Sequence, residues 1–211
     1  MKITFIGYGN VGAPLADRLQ RQGHDVTLAA RDLNSEAVHK VQARNAALRA
    51  VPLERAVREA DVVFLATPFM ANAQVVPPLS EALTGKVLVD CTNPLGPGLS
   101  HGLQSQQSGS QDLQILAPQA KVVKAFTIYG FENLEDSGYP AYGVKPVMPL
   151  CGDDPAAKAA VSTLTAELGF EPLDVGGLVQ ALHLEHMTLL WVRMVRAQGH
   201  PPGLVWAALR R

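Results

Sequence analysis

The sequence predicts an α/β protein with a doubly wound, mostly parallel sheet and a small C-terminal α/β extension. Short apolar runs such as residues 2–6 and 61–66 alternate with segments of helical periodicity. The runs lack the polar alternation of a half-exposed strand, and continuous apolar strands are typical of parallel sheets that are covered on both faces.

The same sequence patterns predict each strand and helix in chain order. Strands are predicted at 2–6, 25–30, 48–51, 61–66, 86–90, 122–126, 147–151 and 171–175. Helices are predicted at 10–22, from an N-cap at Asn34 to about 44, and at 53–60, 70–83, 155–168 and 178–195. Glycine, proline and serine predict one long loop over 93–110, and a second irregular stretch covers 135–146.

Composition excludes several classes of protein. The 211 residues are 47% hydrophobic and 18% charged, with a formal net charge of −1, so intrinsic disorder is not expected. The charge gives no electrostatic basis for binding nucleic acid or an anionic membrane. No apolar run is long enough to span a bilayer, and the N-terminal one stops at Gly7, too early for a signal peptide. Two cysteines form no disulfide framework, so we expect a reducing, cytoplasmic setting.

Residues 7–12 (GYGNVG) fit the pattern G-x-G-x-x-G between a predicted strand and a predicted helix. In this context Gly7 permits a tight turn, Gly9 lets a pyrophosphate approach the backbone, and Gly12 lets the helix pack on the sheet. The helix N-terminus then presents free N–H groups to the phosphates. The motif predicts a Rossmann-type dinucleotide site contacted by Gly7, Tyr8, Gly9, Asn10, Val11 and Gly12.

The end of the second strand indicates which dinucleotide is bound. An acidic residue there would hold the ribose hydroxyls of NAD, but this position is Ala30 and Arg31 follows it. A guanidinium matches a 2′-phosphate with paired donors, which favours NADP(H). Two alternatives stay open: Asp32 serves NAD if the strand ends later, or Arg31 makes only a surface ion pair.

Two further segments follow strands at the carboxyl edge of the sheet, where open α/β folds bind ligands. After residues 61–66, Thr67 offers a hydroxyl to a ribose or phosphate and Phe69 offers a ring for packing. After residues 86–90, Asn93 offers an amide to a carboxamide or ribose. The competing interpretations are an ordinary helix start and a turn before proline. The predicted contacts are Ala66, Thr67, Pro68, Phe69, Asn93 and Pro94.

Together these segments resemble the NADP-dependent oxidoreductases related to coenzyme F420:NADP oxidoreductase, a fold shared by the reductase domains of STEAP-type metalloreductases. The resemblance runs through KITFIGYGNVG, DVVFLATPF, VDCTNPL, KVVKAF, LCGDDPAAKAAV and LGFEPLDVG. It implies phosphate binding at the glycine loop and at Arg31, and hydride transfer to a deazaflavin or flavin-type ring. The glycine loop is one residue shorter than the G-G-T-G-N of the deazaflavin reductases, Ala30 replaces their strand-end serine, and Thr127 follows KAF where relatives often have asparagine.

The resulting hypothesis is an NADP(H)-binding oxidoreductase that transfers hydride between NADPH and coenzyme F420 or a flavin. Residues 1–130 form the dinucleotide-binding domain, and 131–211 complete the acceptor site and contact a second copy in a homodimer. One alternative is an NADPH-dependent reductase of a small carbonyl or imine, which needs a proton donor. The other is an NADP(H)-sensing domain without turnover.

No catalytic residue can be assigned from the sequence. The candidate proton donors are His101, Lys124, Tyr129, Tyr139 and Tyr142. His183 and His186 share a helix face but lack a third ligand, so no metal site is predicted. Cys91 is expected to be a small buried residue. An apolar stripe is expected to be mostly core, with part of it in a dimer contact: Leu182, Leu189, Leu190, Trp191, Val192, Val195 and Trp206.

Overall fold

A computed structural model describes residues 1–211. Its first half contains β1 (Lys2–Ile6), α1 (Gly12–Arg21), β2 (Asp25–Ala30), α2 (Glu36–Arg44), β3 (Arg49–Pro52), α3 (Leu53–Glu59), β4 (Val62–Leu65), α4 (Asn72–Val75) and β5 (Val87–Asp90). Its second half contains β6 (Leu95–Gly96), β7 (Ser100–His101), α5 (Gly109–Leu116), β8 (Lys121–Lys124), α6 (Phe131–Glu135), β9 (Val147–Gly152), α7 (Pro155–Glu167), β10 (Glu171–Asp174) and α8 (Ala181–Val192). None of these helices combines the length and apolar character that crossing a membrane requires.

The main sheet has eight strands in the order β10-β9-β8-β5-β4-β1-β2-β3. Every pair is parallel except β8 and β9, so the predicted doubly wound, mostly parallel fold is confirmed. The chain runs outward from β1 in one direction and returns to β4 to run outward in the other. Ligands bind at such a reversal, outside the carboxyl ends of the strands.

Core residues lie on both faces of the sheet because successive strand side chains alternate. Within β4, Phe64 belongs to one apolar cluster, whereas Val63 and Leu65 belong to the other. Phe64 stacks on Phe5 of the neighbouring strand with ring centroids 4.6 Å apart. Residues 131–211 add β9 and β10 to the same sheet. That they form a separate small domain remains a prediction.

Several predicted boundaries are wrong for identifiable reasons. Ser35, not Asn34, caps α2: the Ser35 hydroxyl accepts a hydrogen bond from the N–H of Val38, and Asn34 lies in the preceding turn, where its N–H donates to the Asp32 carboxylate. The helix expected over 70–83 is broken into short turns, since two prolines at 77–78 lack backbone donors. The stretch 93–110 is not all loop: β6 and β7 form a small antiparallel hairpin, and α5 begins at Gly109.

The last helix buries a different face from the one its apolar residues predicted. Trp191 and Val195 are buried as expected, but Leu190 is 51% exposed. The buried positions of α8 include the polar residues Glu185 and Thr188. Each has a distant partner, since Glu185 pairs with Lys124 and the Thr188 hydroxyl accepts a hydrogen bond from the backbone N–H of Ile128.

Candidate functional site

The glycine loop connects β1 to α1 at the carboxyl edge of the sheet, and its three glycines meet different constraints. Gly7 has a φ of +86°, and a Cβ there would lie 2.7 Å from the backbone of Ala66. A Cβ on Gly12 would lie 2.1 Å from the Gly7 carbonyl oxygen. Gly9 has nothing within 4 Å of its Cβ position. The fold therefore requires Gly7 and Gly12, whereas Gly9 leaves open space beside the backbone.

The N-terminus of α1 can receive an anion. Val11 provides no side-chain cap, and the first turn contains no acidic residue. The N–H of Ala13 is bonded to the Gly9 carbonyl at 3.0 Å and Pro14 has no N–H. The N–H groups of Val11 and Gly12 are therefore the ones left for an anion, and the helix dipole places positive charge there. Together with the open space at Gly9, this arrangement fits a pyrophosphate.

The end of β2 places a free cation at the same edge. Arg31 is exposed and its guanidinium takes part in no side-chain hydrogen bond or ion pair. Ala30 before it is buried, and the carboxylate of Asp32 accepts a hydrogen bond of 2.9 Å from the N–H of Asn34. Arg31 is thus the side chain that can pair with a 2′-phosphate, while Asp32 is already engaged in its turn.

A cavity of about 800 Å³ opens beyond the carboxyl ends of β4 and β5. We call it the edge cavity. Its walls are the segment after β4, the hairpin region after β5, and α5. Four predicted contacts lie in its lining, namely Pro68, Phe69, Asn93 and Pro94. Much of the remaining lining is apolar and includes Met70, Leu95, Leu103, Leu113, Ile115 and Leu116.

Two other predicted contacts, Ala66 and Thr67, are not part of the lining of the edge cavity. The backbone of Ala66 packs against Gly7, as described above. The hydroxyl of Thr67 donates to Asn72 Oδ1 at 3.0 Å, and Asn72 in turn donates to the Thr92 hydroxyl at 3.1 Å. Thr67 therefore begins a chain of hydrogen bonds that leads from the ligand edge toward the centre of the sheet.

Asn93 carries an unused hydrogen-bond acceptor in the lining of the edge cavity. Its Oδ1 atom is buried and has no partner. Buried polar atoms are nearly always paired, so an isolated one needs an explanation such as a ligand. An acceptor at this place fits the N–H groups of a carboxamide, which is the polar group of a nicotinamide ring.

Asp112 also lies in the lining of the edge cavity, where the sequence did not predict it. It is the only ionisable side chain in the lining, and burial, with a smaller contribution from the charge of Glu185, raises its pKa. It was missed because α5 was not predicted. The signal was present, since Ser108 and Gln111 form a capping box in which each side chain bonds to the other's backbone N–H.

A buried charge network lies behind α5. The ammonium of Lys124 lies 3.1 Å from the Asp90 carboxylate and 3.3 Å from the Glu185 carboxylate, and it donates to the Thr92 carbonyl. Burial acts to lower the pKa of Lys124, but the two carboxylates outweigh burial and raise it. The lysine is therefore a structural cation.

The network fixes the walls of the edge cavity. Glu185 accepts a hydrogen bond of 2.9 Å from the N–H of Gly109, the first residue of α5, and contacts His101 Nε2 in the hairpin at 2.9 Å. Asp90 accepts from the hydroxyl of Ser110 at 2.6 Å and from that of Thr92 at 2.7 Å. Strands β5 and β8, helices α5 and α8 and the hairpin thus meet in one set of hydrogen bonds.

None of the candidate proton donors lines the edge cavity. His101 and Lys124 are buried in the network just described. The Tyr129 hydroxyl is bound to the carbonyls of Val147 and Trp206, and burial raises its pKa above the usual range. Tyr139 donates within the C-terminal region, and Tyr142 is exposed beside a separate groove.

The remaining candidates occupy structural positions. His183 is exposed, whereas His186 contacts the Ser105 hydroxyl at 2.9 Å, so they do not converge on one point. Cys91 is buried, as predicted, and burial raises the pKa of its thiol beyond the usual range. Burial also raises the pKa of Cys151, to about 12. Both thiols are therefore protonated packing groups.

Comparison with known proteins gives consistent results. A family model for coenzyme F420-dependent NADP oxidoreductases matches residues 2–94. The F420-dependent NADP reductase of Methanocaldococcus jannaschii is 27% identical over 206 residues, covering 91% of each chain. The structure of a proposed F420-dependent NADP reductase from Arthrobacter sp. FB24 superposes with a TM-score of 0.82 and 28% identity, covering 96% of each chain.

The chain also resembles part of a longer protein. The rat metalloreductase STEAP3 is 32% identical over 188 residues, which is 89% of this chain but only 36% of the length of STEAP3. The chain therefore spans only about a third of the length of STEAP3.

Proposed function

We propose that the chain transfers hydride between NADPH and a deazaflavin or flavin-type acceptor, because it is similar over nearly its whole length to F420-dependent NADP reductases. The deazaflavin is coenzyme F420, the acceptor named for the archaeal relative. Bound NADPH supplies the hydride, and the protein supplies position and exclusion of water.

One observation carries the proposal: the buried Oδ1 of Asn93 has no partner and lies in the lining of an apolar cavity. This cavity is at the same edge of the sheet as the glycine loop. A pyrophosphate at the N-terminus of α1 would allow a dinucleotide to extend along this edge, and Asn93 would orient its carboxamide. The apolar edge cavity would receive a planar acceptor ring. Hydride transfer between two rings needs no acid or base, which fits a cavity without a histidine or tyrosine.

Arg31 supports NADP(H) over NAD(H). Its unpaired guanidinium at the end of β2 would bind the 2′-phosphate, since arginine and phosphate form two parallel hydrogen bonds. Position 30 is alanine, so no carboxylate there binds the hydroxyls of the same ribose.

The direct test mixes purified protein with NADPH and oxidised coenzyme F420 and follows the loss of deazaflavin absorbance, with NADH as the comparison. We expect turnover with NADPH and at least about tenfold lower kcat/KM with NADH. Arg31→Gln should remove most of that preference, whereas Arg58→Gln, a matched exposed arginine at the far end of α3, should keep it. NADPH binding without turnover by F420, flavins or small carbonyls would instead support a sensing domain.

A second candidate function follows from Asp112. A carboxyl group with a raised pKa inside a ligand cavity can hold a proton for a developing amine or alkoxide, so reduction of a small imine or carbonyl fits the same cavity. Under this function Asp112→Asn would abolish imine reduction while NADPH binding persists. Under transfer to a flavin-type ring, the same variant would retain turnover.

The assembly and the cellular setting also remain proposals. Exposed apolar side chains near and on α8, including Val179 and Leu190, support a homodimer through residues 131–211, which sedimentation at two protein concentrations would test. Two buried free thiols, Cys91 and Cys151, support a reducing, cytoplasmic setting.

A further inference from the structure

The charge of the edge cavity is one-sided. Its lining contains Asp112 as the single ionisable side chain and no lysine or arginine. Arg193 donates to the carbonyl of Leu99 and is not part of the lining. An anionic group that entered the cavity would therefore find no cation to pair with.

The buried network behind the wall adds to this asymmetry. It contains two carboxylates, Asp90 and Glu185, and one ammonium, Lys124. His101 does not supply the missing positive charge, because its Nδ1 accepts hydrogen bonds from two backbone N–H groups, at 3.3 Å and 3.2 Å, and so must keep a lone pair. Its Nε2–H then donates to Glu185. The network retains one excess negative charge.

We propose that the edge cavity selects acceptors whose inserted part is neutral or cationic, and that Asp112 is the residue that disfavours anionic ones. This inference rests on the proposed function, since it names the class of acceptor that the same cavity takes. Any anionic tail of an acceptor would have to remain in solvent outside the cavity mouth.

Riboflavin and flavin mononucleotide test the proposal because they share one ring and one ribityl chain and differ only in a phosphate. Their affinities are measured by quenching of flavin fluorescence, with protein saturated with NADP⁺, and their kcat/KM values by NADPH oxidation. Riboflavin should bind roughly fivefold more tightly or better, the size of a charge repulsion across a partly solvated cavity.

Two variants should move this ratio in a defined way. Asp112→Asn should reduce the preference for riboflavin about threefold, and the ratio cancels any general loss of binding. Ile115→Lys adds a cation to the cavity lining at a side chain that is 72% exposed, where folding is not at risk, and should favour flavin mononucleotide. The matched control Glu81→Gln removes the same charge from an exposed site outside the lining and should leave the ratio unchanged.

Tighter binding of flavin mononucleotide than of riboflavin by the wild-type protein would overturn the proposal. A ratio that neither Asp112→Asn nor Ile115→Lys changes would also overturn it. The proposed function fails separately: charge selection in the binding assay without NADPH oxidation by any flavin or by F420 refutes hydride transfer but supports the selectivity. Turnover of both flavins, with an affinity ratio that neither variant changes, supports hydride transfer and refutes the selectivity.

Discussion

Replacing Lys124 by methionine tests whether the buried charge network holds the site together. The ammonium and its two partner carboxylates are each at most 1% exposed. Methionine fills a similar volume but leaves Asp90 and Glu185 without their cation. Removing one member of a buried ion pair typically costs about 3–5 kcal/mol. Since whole domains are stable by roughly 5–15 kcal/mol, the variant should fold with a greatly reduced margin.

The assay is urea denaturation followed by circular dichroism at pH 7 and pH 5, with Lys121→Met as the control. Lys121 lies on the same strand, but its side chain is 40% exposed and pairs with the partly exposed Asp154 at 3.1 Å. Exposed pairs contribute little, so the control should lose little stability. In Lys124→Met, the stranded carboxylates favour protonation in the folded state. The folded protein then binds more protons than the unfolded chain, and its deficit should shrink as pH falls.

Two results would refute this reasoning. One is a loss in Lys124→Met no larger than that in Lys121→Met. The other is a deficit that stays constant between pH 7 and pH 5. A double variant, Lys124→Met with Glu185→Gln, sharpens the test. Because it removes one of the stranded charges, it should recover about 1–2 kcal/mol, a coupling that independent sites would not show.

Three further predictions concern the glycine loop, the nicotinamide end and an ion pair outside the site. Gly9→Ala should keep the wild-type melting temperature and bind NADPH roughly tenfold more weakly. Gly7→Ala should have a lower melting temperature, because Gly7, unlike Gly9, has a positive φ and a crowded Cβ position. Equal melting temperatures for the two variants would contradict this reasoning. Asn93→Leu should weaken NADPH binding by about 1–2 kcal/mol but leave 2′,5′-ADP binding unchanged in fluorescence titrations. For Asp17, burial acts to raise the pKa, but hydrogen bonds led by that from Arg44 outweigh burial and lower it. Its stabilisation is therefore present at neutral pH and lost as pH falls below the ordinary value of 3.8, so urea midpoints of Asp17→Asn and wild type should converge in acid.

The sheet could be predicted because its strands are continuous apolar runs. The ranges of β1 and β2 were predicted as they are found, and the other strands of the main sheet differ by a residue or two at their ends. The glycine motif and Arg31 could be located because each directly follows such a strand. At this edge of the sheet, sequence order alone decides which residues come together.

The edge cavity could not be predicted because its walls depend on distant partners. Glu185 is buried on α8 only because Lys124, on another strand, compensates its charge. Hydrophobic periodicity assumes an apolar buried face, so it assigned the leucines of α8 to the core and missed the polar residues that are there. For the same reason, Asp112 could not be placed in a cavity until α5 was oriented by the bond between Gly109 and Glu185.

A buried ion network is weak evidence for stability, since apolar residues of similar volume often stabilise a core equally well. What the network adds is a fixed orientation of the elements that it joins. Glu185 holds the backbone N–H of Gly109, and the ring of Phe69 packs so closely there that a Cβ on Gly109 would lie 2.7 Å from it. The segment after β4 and the start of α5, which both line the edge cavity, are thereby fixed relative to each other. A hydride moves only between rings held at a defined separation, so rigid walls of this kind are what the proposed reaction requires.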